Sequence, residues 1–303
     1  MTAIPDTRAP LLANLICMLS MLVWAAGLPA ADLLIGKVPP LPLTAARMVM
    51  AALVLLPLWL VLEGPAALKG ANWGKGILIG GLSIGLGAFM LVVGQSMTGS
   101  VTVAIISASM PLIGISIEVM LDGRKLTWAL IAGLILALIG GVMALGSGAA
   151  SVNLGVGALF CLASVITFTI GSRLTVTAFP QLTPLGRTTV TLTGAAILTS
   201  IAAFAHIGLG ATPPDWALIG AREWGALAIF SIGGLAISQV LWIMSVGQLG
   251  IGMASLHINA TPFYVMLILF LLGAAWSWPQ ALAAAVVGAG VLIAQGMLSA
   301  KRT

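Results

Sequence analysis

Apolar stretches of membrane-spanning length recur along the chain, separated by short clusters of proline, glycine and charged residues. They fall at about 11–35, 44–62, 75–96, 101–120, 127–146, 154–176, 185–206, 224–246, 251–272 and 279–299. Each is near the ~20 residues that cross a hydrocarbon core of ~30 Å. The breaks carry turn chemistry: Lys37-Val-Pro-Pro-Leu-Pro42, Glu63-Gly-Pro65, Asp122-Gly-Arg-Lys125, Ser147-Gly-Ala-Ala-Ser151 and Ala211-Thr-Pro-Pro-Asp215. The pattern predicts ten transmembrane helices. Arg8, then Leu11 to Leu28, then Pro29-Ala30-Ala31 has the layout of a secretory signal, but the apolar run from Leu11 to Ile35 exceeds a signal's apolar region. It is expected to remain as helix 1. Trp59, Trp73, Trp128, Trp216, Trp224, Trp276 and Trp278 lie at predicted helix ends, where an indole suits the headgroup layer. Trp24 and Trp242 lie inside their spans.

Composition agrees. Of 303 residues, 60% are hydrophobic and 6% charged, against roughly 25% charged in a soluble domain. Too little charge is available to cover a water-facing surface, so lipid is the expected solvent. The 37 glycines suit helices that pack backbone to backbone in a bilayer. The 12 Lys+Arg exceed the 7 Asp+Glu but form no stripe, which argues against nucleic acid and for a topology signal. With the N-terminus inside, Arg8, Lys69, Lys75, Arg124, Lys125, Arg173, Arg187, Lys301 and Arg302 fall on the cytoplasmic side, and Lys37, Arg47 and Arg222 outside. Both termini are then cytoplasmic. Cys17 and Cys161 lie inside apolar segments, at depths measured from opposite faces, and are read as small packing residues.

The two halves resemble each other. An offset of 151 aligns Trp73 with Trp224, Gly74 with Gly225, Gly99 with Gly250 and Pro111 with Pro262. Upstream, an offset of 144 pairs Leu15 with Leu159, Cys17 with Cys161, Ser20 with Ser164 and Gly27 with Gly171, and one of 140 pairs Pro40 with Pro180 and Arg47 with Arg187. Residues 1–150 and 151–303 thus read as two five-helix repeats. Five is odd, so the second repeat enters the membrane in the opposite sense, a design in which solute binds at the midplane between halves. Pro111 and Pro262 are expected near the middle of helices 4 and 9, where each removes a backbone donor and leaves polar backbone to face a cavity. Together with Gly99 and Gly250 they are the candidate hinges.

These features resemble the drug/metabolite transporter superfamily in its bacterial EamA-like branch. The matching residues are Gly99 and Gly250 in the short connections, Pro111 and Pro262 in the helices that follow, and Arg47 and Arg187 early in the second helix of each repeat. Gly140-Gly141-Val142 and Gly288-Ala-Gly290-Val291 also fit. The resemblance implies an all-α membrane protein with ten transmembrane helices in two inverted-topology repeats. Helices 1, 3, 4, 6, 8 and 9 would line a central cavity, and helices 5 and 10 would lie peripheral. It implies a multi-pass protein of the bacterial inner membrane that exports metabolites, with the aromatic and neutral amino-acid exporters as the nearest subgroup. The small multidrug members carry a glutamate in helix 1. Here that helix has no acid in Asn14-Leu-Ile-Cys-Met-Leu-Ser-Met-Leu-Val-Trp24, which disfavours proton-coupled export of cationic drugs.

Charges inside a membrane are costly and usually functional, so their distribution narrows the chemistry. None of Asp6, Asp32, Glu63, Glu118, Asp122, Asp215 and Glu223 falls at a helix midpoint, and Asp32 and Glu118 are expected to reach water. Arg47 and Arg187 either snorkel to the interface or meet a substrate carboxylate. The candidate binding set is Gln95, Ser107, Ser109, Thr167, Gln239, His257 and Asn259, with Trp24 and Trp242 as apolar walls. Gln239, His257 and Asn259 stand out because larger polar heads need several partners. Such a site suits a neutral or zwitterionic solute with an apolar or aromatic side chain. The expected function is alternating-access transport of such metabolites, aromatic and apolar amino acids first, by an exporter or facilitator. Passive flux is preferred over proton coupling through His257. The rivals are a non-transporting membrane protein and an intramembrane enzyme, for which no convergent catalytic set is seen. No catalytic residue, metal ligand or cofactor is expected. The partners are a small-molecule substrate and the lipid bilayer. The sequence sets no oligomeric state, and a monomer is compatible with it.

Overall fold

The computed structural model describes residues 8–146, 155–273, 275–276 and 278–294. The chain forms α1 (Arg8–Asp32), α2 (Pro40–Gly70), α3 (Trp73–Thr98), α4 in two pieces (Ser100–Ser107 and Met110–Asp122) and α5 (Trp128–Gly146). It continues with α6 (Val156–Thr177), α7 (Pro184–Gly208), α8 (Ala221–Leu249), α9 (Ile251–Leu271) and α10 (Trp278–Ala294). Among the described residues seven helices, α1–α3 and α6–α9, are long and apolar enough to cross a membrane. The predicted ten crossings need α4, α5 and α10 as well. Large apolar side chains such as Leu53, Val61, Phe204 and Leu272 are exposed on the outside. That surface suits lipid rather than water.

The packing pairs helices across the two halves. α2 lies on α7, α5 on α10 and α4 on α9, while α3 packs on α6 and α8 on α1. Every one of these pairs joins residues 8–146 to residues 155–294, so neither half closes a core alone. Where α1 crosses α8, a Cβ on Gly27 would sit 3.2 Å from the Gly234 Cα. Only glycine lets the two backbones approach this closely.

Local backbone repeats too. Gly99 (φ 85, ψ 165) and Gly250 (φ 80, ψ 160) each form the single residue between two helices, in a region that is essentially glycine-only. α3 carries a π-helical segment at Gly80–Gly85 and α8 one at Ile229–Ile237. The offset of 151 found in the sequence carries the first into the second.

Three expectations are corrected. Pro111 and Pro262 are not mid-helix kinks. Each sits in the first turn of a new helical segment, after a turn at Ala108–Ser109 in α4 and a 3-10 segment at Leu256–Ala260 in α9. There the missing N–H would have had no helical acceptor anyway. The turn expected at Glu63-Gly-Pro65 is a one-residue break at Gly64 (φ 79, ψ 171), which divides the spanning part of α2 from a second helical piece that runs on to Gly70. Trp59, expected in the headgroup layer, is fully buried against Gly186 and tilted on Trp73 at 6.1 Å.

Candidate functional site

The helices α1, α2, α3, α4, α6, α8 and α9 surround a central cavity, leaving about 680 Å³ free of atoms with its mouth included. Lining side chains come from both halves, and most fall into pairs under the sequence offsets. With an offset of 144, Ser20, Met21 and Trp24 of α1 match Ser164, Val165 and Phe168 of α6. With an offset of 151, Ile84, Gly87, Ala88 and Leu91 of α3 match Leu235, Ser238, Gln239 and Trp242 of α8, and Ser107 matches Ile258. The alignment of Ser20 with Ser164 was therefore a sequence signal for the cavity that composition alone did not give.

The walls are aromatic. Phe168 and Trp242 stack with ring centroids 6.3 Å apart, and the Trp242 indole donates to Ser172 Oγ at 2.9 Å. Trp24 packs beside them. Polar groups are few and mostly engaged: Ser20 donates to the Ser238 carbonyl at 2.7 Å, and Ser238 to the Leu235 carbonyl at 3.3 Å. Gln239 is different. It is 3% exposed and its Nε2 has no acceptor.

Arg47 breaks the pairing. It lines the cavity from α2, is 3% exposed, and lies with its guanidinium carbon 3.7 Å from the centre of the Phe230 ring. Its Nε donates to the Phe230 carbonyl and its Nη2 to the Gly234 carbonyl, both at 3.1 Å. Both acceptors belong to the π-helical segment of α8. Arg47 therefore does not snorkel to the interface. Arg187 donates to the Phe179 and Pro180 carbonyls at 2.9 and 3.0 Å, next to its own helix start, and is not brought to the cavity.

Of the residues singled out in the sequence, Trp24, Arg47, Ser107, Gln239 and Trp242 meet on this cavity. The others are placed elsewhere. Gln95 bridges the Leu28 carbonyl and Asp32 at 2.9 and 2.8 Å, tying α3 to α1. Ser109 donates to the Ile106 carbonyl at 2.7 Å within the break of α4, and Thr167 to the Ala163 carbonyl of its own helix at 2.9 Å. His257 is buried with Nδ1 3.3 Å from the Ala254 carbonyl. Asn259 is 2% exposed, and neither of its amide atoms has a partner. Sequence reasoning missed Met21 and Met48 as lining residues, because apolar residues in a span give no signal of which face is inward.

Both ends of the bundle are tied across the halves. At one end Lys37 pairs with Glu223. At the other, Asp122 pairs with Arg173, Thr183 donates to Glu63 at 2.6 Å, and Glu118 accepts from the Gly252 backbone N–H at 2.8 Å while pairing with Arg124. Glu118 was expected to reach water, but it is 6% exposed and spent on the opposite half.

Residues 11–146 match the EamA-like transporter family. The match covers nearly all of α1–α5 and supports the superfamily that the sequence resembles. Curated proteins gave no match. One solved structure, described as "Crystal structure of protein", superposes with a TM-score of 0.76 at 23% identity, covering 96% of this chain and 99% of that one. At that identity the likeness shows the fold. The apolar helices describe a multi-pass membrane protein, and the family that its first half matches is one of transporters.

Proposed function

We propose that the chain is an alternating-access transporter for small neutral or zwitterionic metabolites with an apolar or aromatic part, aromatic and apolar amino acids first. In this reading the chain crosses the membrane ten times, as two inverted five-helix repeats with both termini cytoplasmic. It acts as an exporter or facilitator. One observation carries the proposal: a central cavity whose lining residues match in pairs between the halves, with aromatic walls and no carboxylate among them. A site built symmetrically from two repeats is the arrangement in which rocking one half against the other exposes the solute to each side in turn. The EamA-like match of the first half supports the same reading. The cross-half ties at both ends supply contacts that such rocking would break and remake. His257, the one candidate for proton coupling, does not line the cavity, which favours passive flux.

The test is counterflow in proteoliposomes. Vesicles loaded with unlabelled phenylalanine, tryptophan or leucine should transiently accumulate the labelled amino acid, without an imposed pH gradient. A Trp24→Ala, Trp242→Ala double variant should lose that accumulation. No counterflow with any of a broad amino-acid panel would remove the substrate assignment, and uptake driven by a pH gradient alone would remove the passive mechanism.

A further inference from the structure

We infer that Arg47 and Gln239 form an anion subsite, and that the cavity selects solutes carrying a carboxylate next to an apolar group. This rests on the cavity being the solute site proposed above, and it adds the group by which the solute is recognised.

Among the described residues, no carboxylate pairs with Arg47, although it is 3% exposed and lines the cavity. Charged side chains inside a membrane span pair with one another or with backbone carbonyls, and carbonyl dipoles offset only part of the lost hydration. Two of its nitrogens are fixed on the Phe230 and Gly234 carbonyls, and its plane is seated on the Phe230 ring. The guanidinium is thus held in one orientation by these three contacts. An arginine fixed in this way loses little freedom when it binds a planar anion.

Gln239 supplies the second donor. Its Nε2 is buried without an acceptor, and its residue faces the same cavity from α8, the helix that Arg47 grips. A missing acceptor at a buried donor and a missing counter-charge at a buried cation ask for the same thing: a ligand with negatively charged oxygens. The lining also includes Trp24 and Phe168, which suit an apolar body rather than a second charge. The repeat sharpens the point. The residue equivalent to Gln239 is Ala88, and Arg187, equivalent to Arg47, is away from the cavity, so neither donor has a counterpart on the cavity. A monocarboxylate with an apolar tail matches this asymmetry. An ammonium group is not required for it.

The experiment measures binding to the purified full chain in detergent by titration calorimetry. The probes are 3-phenylpropionate, 4-methylvalerate and L-phenylalanine, each against its carboxamide. The acids should bind at least about tenfold more tightly than the amides, the scale of one charge-assisted bond. Arg47→Gln should bring that ratio to within about threefold, and Gln239→Leu should weaken the acids several-fold while sparing the amides. Circular dichroism and thermal unfolding check the fold. If Arg47→Gln does not fold, the acid-to-amide ratio of the unaltered protein and its change in Gln239→Leu decide. Acids and amides binding alike, no binding of any acid, or an unchanged ratio in a folded Arg47→Gln variant overturns the subsite. Counterflow of the same probes separates the two proposals. Acid binding without flux would refute transport and leave the subsite standing, whereas equal flux of acids and amides would do the reverse.

Discussion

Removing the Glu118 carboxylate should loosen one end of the bundle by a calculable amount. Glu118 sits on α4, yet it accepts from the backbone N–H of Gly252 at 2.8 Å. Gly252 is the second residue of α9, so its N–H belongs to the first turn, where no carbonyl of the same helix can serve it. The acid thus caps a helix of the opposite half. A hydrogen bond to a charged group contributes about 1.5–3 kcal/mol, and a carboxylate at a helix N-terminus about 0.3–1 kcal/mol. Arg124, its other partner, has a side chain 26% exposed and can return to water, so losing that pair adds little. Glu118→Ala should therefore cost about 2–3 kcal/mol, a roughly 30–150-fold rise in the open population at this end. Glu118→Gln keeps an acceptor oxygen and loses the charge, and should cost about 1 kcal/mol. Hydrogen exchange on the reconstituted protein reads this directly, in a peptide covering 250–260. Exchange there should quicken in the order unaltered, Gln, Ala, with peptides from α1 unchanged. Protection that is the same in Glu118→Ala as in the unaltered protein would refute the capping argument. So would an equal loss in both variants, since the charge-dependent part would then be absent.

Four further outcomes follow from the same structure. Gly99→Ala meets no atom within 4 Å, so it should show backbone strain alone, about 1–3 kcal/mol of lost stability in thermal unfolding. Gly250→Ala has that strain and also runs into Glu118, so it should be the more destabilising of the pair. Ser172→Ala leaves the fully buried Trp242 indole without an acceptor and should cost about 1–3 kcal/mol, seen as a lowered unfolding midpoint. Trp24→Ala removes a wall of the cavity, so it should weaken binding of tryptophan more than of leucine, by a fluorescence-independent titration. Equal losses for both would place Trp24 outside the contact surface.

How much of this was legible depends on whether a feature is local. Hydropathy marks where helices run, and all ten predicted stretches contain helix among the described residues. Gly99 and Gly250 emerged from aligning the halves, and their matched positive φ angles explain why glycine stands at both. The offsets also pair cavity residues at equivalent places, Trp24 with Phe168 and Leu91 with Trp242. Other features are settled far away in the chain. Arg47 could not be told from a snorkelling arginine, because its acceptors lie 183 and 187 residues distant. Gln95 and Thr167 looked like solute contacts, yet their hydrogen bonds are spent on the scaffold. The π-helical segments have no sequence signature that periodicity detects, and the one in α8 supplies the carbonyls that hold Arg47. Pro111 and Pro262 were found by position but misread in role, since the backbone break precedes them.

The one-residue joints at Gly99 and Gly250 limit how the bundle can move. With Thr98 ending α3 and Ser100 starting α4, and Leu249 ending α8 and Ile251 starting α9, there is no slack to let either hairpin separate. Each behaves as a folded rule with a stiff pin, so a swing at the pinned end must reappear, amplified by length, at the free end. Gly250 stands beside Glu118, where that acid ties the halves together. Under the transport proposed above, these joints would carry a tilt along the bundle without a flexible linker.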